Sequence, residues 1–235
     1  MPSFNIVKNI KADSAKSFRV NSIINNFDLD IEHITEHFTG NIDIENKPWN
    51  IGLIVGGSGT GKSTIAKAIF PDNYIKGYEY TAPSVIDDMP KDKSIKDIER
   101  VFTSVGFASP PSWLKPYNVL SNGEKMRCDL ARSILANNDL VVFDEFTSVV
   151  DREVAKTASY AISKAVKRLN KQFVAVSCHK DILDWLQPDW IYDTDEKRFF
   201  IARESTTARK SSLKYTGLTT QLKSKYGKHL VNITI

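Results

Sequence analysis

The chain has 235 residues, of which 41% are hydrophobic and 26% are charged, with a net charge of +4 at pH 7. This length is enough to bury a substantial apolar core and fits one domain, or one domain with a small inserted subdomain. Two cysteines, Cys128 and Cys178, exclude a disulfide framework or a zinc motif, and no apolar run approaches the roughly 20 residues of a membrane helix. With no secretory signal at the N-terminus, these features predict a cytoplasmic protein without direct membrane insertion.

The first fifty residues predict a β-rich segment. We expect strands at 4–10 (FNIVKNI), 17–27 (SFRVNSIINNF) and 40–46 (GNIDIEN), forming an N-terminal antiparallel β subdomain. Between them, 30–38 (DIEHITEHF) predicts a short helix with His33 and His37 on one face. Ile34 stands where the zinc motif H-E-x-x-H requires Glu, so we interpret this pair as surface histidines.

The rest of the chain alternates strands with helices. The first predicted elements are a strand at 49–57 and a helix at 62–70. A small helical insert follows at about 80–118, with a helix at 94–107 and a proline-dense connector at 109–116. After it we predict a helix after 120–124, a strand at 139–145, a helix at about 152–169, a strand at 172–179, a short helix at 180–187 and an edge hairpin at 190–203. This alternation predicts an α/β core with parallel strands.

The strongest motif is the glycine-rich segment GGSGTGKST (56–64), which matches G-x-x-x-x-G-K-[ST] between a strand and a helix. Its amides can curl round a phosphate, Lys62 can neutralise β- and γ-phosphate oxygens, and Ser63 can ligate Mg²⁺. The alternative, a glycine-rich turn without a ligand, is disfavoured by this context. The nucleotide-binding residues are therefore expected to be Gly56, Gly57, Ser58, Gly59, Thr60, Gly61, Lys62, Ser63 and Thr64.

A second motif is LVVFDE (140–145), an apolar strand that ends in two acids. Ligands of open α/β sheets lie at the carboxyl ends of the strands. We expect Asp144 to hold Mg²⁺ and Glu145 to polarise the water that attacks the γ-phosphate. The alternative is a pair of solvated acids.

LSNGE (120–124) lies between these two motifs and resembles the signature motif of ABC-type ATPases. SVVD (148–151) resembles the D-loop of that family, and SCHKD (177–181) supplies His179 where the family has a switch histidine. The resemblance implies a P-loop NTPase fold of ABC ATPase type over 1–202, with ATP and Mg²⁺ as cofactors. It also implies a head-to-tail homodimer in the ATP-bound state.

In such a dimer, Ser121 and Gly123 of one subunit would close over the ATP of the other, and Asp151 would link the two sites. Catalysis would rest on Glu145, His179 and Lys62. Further segments are similar to a soluble, non-transporter group of ABC-type ATPases. Some of its members carry an acetyltransferase-like domain, a role that we do not transfer to this chain.

Two family features have no clear counterpart. The family usually has a Gln between the phosphate loop and the signature, but no Gln lies between Ser63 and Leu120. Asp87, or else Asp88, is our candidate for that Mg²⁺ contact, unless both are solvated loop acids. For the aromatic ring that stacks on adenine the candidate is Phe27, with Phe18 and Trp49 as alternatives and a core role as the competing interpretation.

The C-terminal segment 203–235 carries seven Lys or Arg and one Glu, a charge of +6 that leaves about −2 on the remainder. This basic tail is either a solvated chain end or a contact for nucleic acid or a protein partner. We therefore predict a soluble ATPase that couples hydrolysis to such a partner. The alternatives are the ATP-binding subunit of a membrane transporter and a nucleotide-sensing module that scarcely hydrolyses ATP.

Overall fold

The structure, a computed structural model, describes residues 3–9, 18–27, 35–44, 48–75 and 77–201. The chain divides into the units Met1–Phe200 and Ile201–Ile235. The basic tail at 203–235 lies outside the described residues, as does His33.

A six-stranded sheet with the order β4-β5-β6-β3-β7-β8 forms the centre of the first unit. The pairs β3–β6, β3–β7, β4–β5 and β5–β6 are parallel, which confirms the predicted parallel α/β core. The strands of this sheet are β3 (Ile51–Val55), β4 (Tyr74–Ile75), β5 (Leu140–Phe143), β6 (Gln172–Ser177), β7 (Trp190–Asp193) and β8 (Arg198–Ile201).

The central strand β3 is buried along its whole length, as expected for an apolar run covered on both faces of a parallel sheet. Its glycine has a packing role. A Cβ atom at Gly52 would lie 2.1 Å from Cζ2 of Trp190 on the neighbouring strand, so only glycine lets the indole lie against β3. The ring of Trp49 packs edge-on against the same indole, with the ring centroids 5.5 Å apart.

The α-helices after β3 are α2 (Lys62–Ile69), α3 (Ile95–Ser104), α4 (Pro110–Trp113), α5 (Asn122–Leu135), α6 (Arg152–Leu169) and α7 (Ile182–Leu186). Side chains cap the N-termini of three of these helices, α3, α5 and α6. Asp151 caps α6 by accepting a hydrogen bond from the Val154 amide at 2.9 Å, and Asn170 ends this helix in the left-handed conformation. The predicted bounds of α6 are confirmed.

The segment predicted as a helical insert contains α3, α4 and a 3-10 turn at Tyr117–Val119. Its rings form a small core, in which Phe102 lies 5.1 Å from Phe107 and 5.3 Å from Trp113 between ring centroids. The Trp113 indole also donates to the Phe107 carbonyl at 2.9 Å. The proline-dense connector predicted at 109–116 contains the short helix α4, which Pro110 starts at a position where proline is favourable.

The N-terminal part differs most from the prediction. The segment 17–27, predicted as a strand, forms helix α1 (Phe18–Phe27), in keeping with apolar residues that recur every three or four positions. The helix predicted at 30–38 is also wrong where it is described, because β2 (Thr35–Asn41) includes His37 and pairs antiparallel with β1 (Ser3–Asn9). Pairing with β1 overrides the local helical pattern.

In the described part of the strand predicted at 40–46, which is 40–44, only Gly40 and Asn41 at the end of β2 are in a strand. The following apolar side chains, Ile42 and Ile44, instead insert into the main hydrophobic core beside Ile54 and Trp190. An antiparallel β1–β2 pair at the N-terminus is nevertheless present, as predicted.

Candidate nucleotide site

The glycine-rich segment 56–64, called the phosphate loop below, connects β3 to α2. Gly59 and Gly61 have φ angles of 80° and 82°, a region that side chains other than glycine rarely adopt. The Lys62 ammonium and the Thr60 hydroxyl both donate to the Gly57 carbonyl, the latter at 2.9 Å. The loop is thus closed by two hydrogen bonds to the Gly57 carbonyl, one of which holds the Lys62 ammonium inside the loop.

A carboxylate lies beside the loop at the carboxyl edge of the sheet. The Ser63 hydroxyl donates to Oδ1 of Asp144 at 3.1 Å, and the Tyr74 hydroxyl donates to Oδ2. Burial and the bond to Asp144 raise the pKa of Tyr74, which keeps this phenol a donor. Two of the three residues predicted as Mg²⁺ ligands, Ser63 and Asp144, are therefore adjacent.

This oxygen pair fits Mg²⁺. Among the described residues, no group of three His, Cys, Asp or Glu side chains could hold a metal ion by itself. Mg²⁺ typically uses one or two protein oxygens and completes its shell with water and substrate phosphates. Ser63 and Asp144 would supply such a pair when a nucleotide supplies the phosphates.

The turn after β7 supports the phosphate loop from the other side. Thr194 Oγ1 lies 2.6 Å from Thr60 Oγ1, and Asp195 Oδ1 accepts from the Gly57 amide at 2.7 Å. A Cβ atom at Gly56 would lie 2.0 Å from Thr194 Oγ1, so glycine is required there for this close approach. These contacts were not predicted from the sequence.

Glu145 follows Asp144 and exposes its carboxylate. Its backbone has a φ angle of 52°, and Thr147, which is fully buried, has a φ angle of 67°. A β-branched residue rarely adopts this conformation, which costs of order 1–3 kcal/mol. The loop is held in it by the Phe146 amide, which donates to the Val176 carbonyl at 2.8 Å.

His179 lies just beyond β6 and is half-buried. Burial first, and then the positive charge of Arg152, hold the pKa of this imidazole below its usual value of 6.5. Nδ1 is buried and has no hydrogen-bond partner among the described residues. The imidazole is therefore neutral at pH 7, and can donate or accept a hydrogen bond. Cys178 beside it is exposed, whereas Cys128 is buried.

The residues Ser121 to Glu124, called the signature corner below, start α5 with a complete capping box. The Ser121 hydroxyl accepts from the Glu124 amide at 3.3 Å, and Glu124 Oε2 accepts from the Ser121 amide at 2.9 Å and from its hydroxyl at 2.8 Å. The other oxygen, Oε1, accepts from the buried Ser112 hydroxyl at 2.6 Å. These bonds, with that to Ser112 the largest, lower the pKa of Glu124 to about 2.

The signature corner approaches the first turn of α6 in the same chain. A Cβ atom at Gly123 would lie 3.1 Å from Cγ1 of Val154, the residue whose amide Asp151 caps. Ser121 and Asp151 are both exposed, and no hydrogen bond or salt bridge between described residues joins either of them to the phosphate loop. This placement suits contacts with a second chain.

The remaining candidates have structural partners. Asp87 is exposed and accepts from the Ser84 hydroxyl, whereas Asp88 accepts from the Thr81 and Ala82 amides at 3.2 and 3.0 Å. Neither is bonded to Ser63 or Asp144 among the described residues, so the assignment of Asp87 to Mg²⁺ stays a prediction.

The adenine candidates differ in exposure. Phe27 and Phe18 lie on α1 with 68% and 87% of their surface exposed, so neither is a core residue. Trp49 packs on the core instead. The stacking role of Phe27 stays a prediction.

Comparison with solved structures identifies the fold. The dimeric post-hydrolysis structure of the ATP-binding cassette MJ0796 bound to ADP and Pi matches 72% of this chain and 93% of its own, with a TM-score of 0.55 and 16% identity. A second dimeric structure of MJ0796, a bacterial ABC transporter cassette, matches 86% and 98%, with a TM-score of 0.56 and 17% identity. CbiO1 from Clostridium perfringens, part of the ABC transporter complex cbiONQ, matches 71% and 80%, with a TM-score of 0.53 and 19% identity.

The chain therefore has the P-loop NTPase fold of ABC ATPase cassettes, as predicted. No family profile and no curated protein matches its sequence. In the part of the chain that the structure describes, no helix is long and apolar enough to span a bilayer.

Proposed function

We propose that the protein is an ABC-type ATPase that binds ATP with Mg²⁺, dimerises on ATP and hydrolyses it. The observation that carries the proposal is the 3.1 Å contact of Ser63 with Asp144 beside a closed phosphate loop. Lys62 would exchange the Gly57 carbonyl for phosphate oxygens, and the loop amides would hold the phosphates. Bound Mg²⁺ would neutralise charge on the phosphates at the Ser63–Asp144 pair.

We assign hydrolysis to Glu145, which follows Asp144 after β5, and to His179, which lies just beyond β6. Glu145 exposes a carboxylate one residue beyond Asp144 and would accept a proton from the attacking water. His179 is neutral at pH 7 and would hydrogen-bond the γ-phosphate or that water. Because Glu145 can act as a general base, its presence argues against a module that only senses nucleotide.

Steady-state phosphate release tests this assignment. The wild-type chain should hydrolyse ATP, Lys62→Ala should lose ATP binding, and Glu145→Gln should bind ATP but hydrolyse it about 100-fold more slowly or worse. Glu99→Gln, an exposed acid on α3, is the matched control and should behave as wild type. A wild-type chain that binds no ATP would refute the proposal.

Dimerisation follows from the exposed signature corner. Ser121 and Gly123 of one chain would contact the ATP of another, and Asp151 would lie at the contact between them. Light scattering should show dimers of Glu145→Gln with ATP and monomers of Lys62→Ala. Adding Ser121→Ala to Glu145→Gln should weaken the dimer, whereas Ser94→Ala, which removes the cap of α3, should not.

The positive charge of the C-terminal segment is the basis for a proposed partner of the ATPase. The segment 203–235 carries +6 and would contact nucleic acid or an acidic protein surface. DNA or RNA should then stimulate ATP turnover by the full chain, and replacing Lys223, Lys225 and Lys228 by Gln should reduce this stimulation. If neither DNA nor RNA changes the rate of ATP turnover, an acidic protein surface is the remaining proposed partner.

A second candidate function is the ATP-binding subunit of a transporter, because the solved structures with this fold include transporter cassettes. Its discriminating test is purification from membranes. Co-purification of the chain with an integral membrane protein, in an ATP-dependent manner, would favour this function over the first.

A further inference from the structure

The turn that follows β7 contacts the phosphate loop through a charged side chain. Asp195 Oδ1 accepts from the Gly57 amide at 2.7 Å, and Lys180 Nζ lies 3.0 Å from Asp195 Oδ2. We infer that Asp195 and Lys180 form a brace that positions the phosphate loop for nucleotide binding. The inference rests on the proposed binding of ATP and adds two positioning residues to that site.

The brace is anchored in the sheet. Lys180 Nζ also lies 2.8 Å from Oδ2 of Asp193, the last residue of β7, whose side chain is only 4% exposed. Oδ1 of Asp193 accepts from the amides of Asp195 at 2.9 Å and Glu196 at 3.3 Å. The turn therefore cannot move without breaking bonds to a buried carboxylate, which fixes Asp195 against Gly57.

The charge of Lys180 matters for a nucleotide. A carboxylate beside a phosphate loop would repel a triphosphate, unless a cation compensates it. The bond from the Gly57 amide and then the proximity of Lys180 and Lys62 hold the pKa of Asp195 below its usual range, so it is ionised at neutral pH. Lys180 thus lets the loop use a strong charged acceptor without presenting uncompensated negative charge to ATP.

The brace also connects two parts of the site. Lys180 is the neighbour of His179, to which the proposed function assigns contact with the γ-phosphate or water. Gly57 lies at the opposite end, where the phosphate loop leaves β3. Because the brace acts on the loop and touches no proposed reacting atom, its loss should change the affinity for ATP more than the turnover number.

Equilibrium binding of ATP to the full chain tests the brace, with kcat measured at saturating ATP. Asp195→Ala should weaken ATP binding about 10-fold, the worth of one charge-assisted hydrogen bond. Lys180→Met should weaken it at least as much, since two carboxylates lose their cation. Asp195→Asn, which keeps an acceptor for Gly57, should rescue most of the loss. Combining Asp195→Asn with Lys180→Met should recover part of the affinity that Lys180→Met loses.

Lys197→Met, in the same turn, is the matched control and should leave ATP binding unchanged. In all variants kcat should stay within about 2-fold of wild type, as for loss of uniform binding. Asp195 is 36% exposed in a turn, so Asp195→Ala decides the question should Lys180→Met fail to fold. Wild-type affinity in Asp195→Ala would overturn the brace alone, whereas a wild-type chain that binds ATP no better than Lys62→Ala would overturn the proposed function with it.

Discussion

The hydroxyl of Tyr74 donates a hydrogen bond to Asp144 from β4, the strand two residues long at the edge of the sheet. Asp144 in turn accepts from Ser63. The phenol therefore orients the carboxylate that we assign to Mg²⁺, and outer contacts of this kind tune metal sites.

Tyr74→Phe should raise the Mg²⁺ concentration needed for half-maximal ATP hydrolysis by about 10-fold, the lower end of the range for such outer contacts. The ring remains, so packing is preserved while Asp144 loses one of its two bonds. The measurement is turnover against Mg²⁺ at fixed ATP.

Tyr78→Phe provides the control, because the buried Tyr78 hydroxyl has no partner among the described residues. An equal change in both variants would mean that Tyr74 does not act through Asp144.

The capping box of α5 predicts a stability effect. Glu124→Ala removes the acceptor for both the Ser121 amide and the Ser112 hydroxyl, and should lower the free energy of unfolding by about 1 kcal/mol, as for other caps. Glu99 on α3 is exposed, so Glu99→Ala should change the free energy of unfolding little, since Ala is a good helix former. Urea unfolding of both variants measures the difference.

The same carboxylate predicts a pH dependence. The pKa of Glu124 is lowered from 4.5 to about 2, so its contribution to stability is fully present above about pH 4.5 and is lost as the pH falls towards 2. The stability gap between wild type and Glu124→Gln should therefore narrow across this interval. A gap that stays constant from pH 6 to pH 3 would show that the carboxylate charge is not what stabilises the corner.

Parts of the candidate site could be located from the sequence because each part is a short run of adjacent residues. The glycine-rich segment 56–64 and the Asp144–Glu145 pair are such runs, and short motifs identify them without knowledge of the fold. The bounds of α6 were predicted for the same reason, since Asp151 and Asn170 are local caps.

The contacts that sequence reasoning missed join distant positions. Asp195 and Gly57 are 138 residues apart, and Tyr74 and Asp144 are 70 apart. No spacing rule predicts such pairs; only the order of strands brings them together. Asp195 lies just after β7, which is parallel to β3. This position could have indicated a contact with the phosphate loop, but the sequence did not predict which strand lies beside β3.

The errors at the N-terminus have a similar cause. Helix α1 contains Phe, Val and Ile residues that also favour strands, so composition competed with periodicity. For β2 the sequence has an amphipathic helical pattern, yet β1 supplies backbone partners over seven positions. The conformational preference of a short segment does not reveal a partner strand that lies elsewhere in the chain.

The contact between Gly52 and Trp190 predicts a second stability effect. Gly52→Ala would place a Cβ atom 2.1 Å from a ring atom of a fully buried indole, so the ring or the strand must shift. We expect a loss of about 1–3 kcal/mol in the free energy of unfolding, typical of an overpacked core.

Gly77→Ala is the matched control, since an added Cβ there meets no atom within 4 Å. Chemical denaturation of both variants gives the comparison, and equal stabilities would contradict the close packing of β3 against β7.

The charge of Arg152 predicts the titration of His179. Arg152 donates to Asp181 with Nε at 2.8 Å and lies over the Trp185 ring, which fixes its cation near the imidazole. Burial and this cation hold the pKa of His179 below 6.5, whereas Asp181 acts in the opposite direction. Arg152→Met removes the cation and leaves Asp181, so the pKa of His179 should rise.

NMR titration of the histidine ring protons measures this pKa, with His179→Gln used to assign the signal among the four histidines. The wild-type midpoint should lie below 6.5 and that of Arg152→Met should be higher. Arg168→Met, an exposed arginine in the last turn of α6, should leave the midpoint unchanged. A midpoint in Arg152→Met that stays at the wild-type value or falls would contradict the assignment of part of the shift to Arg152, because removal of a positive charge favours the protonated form.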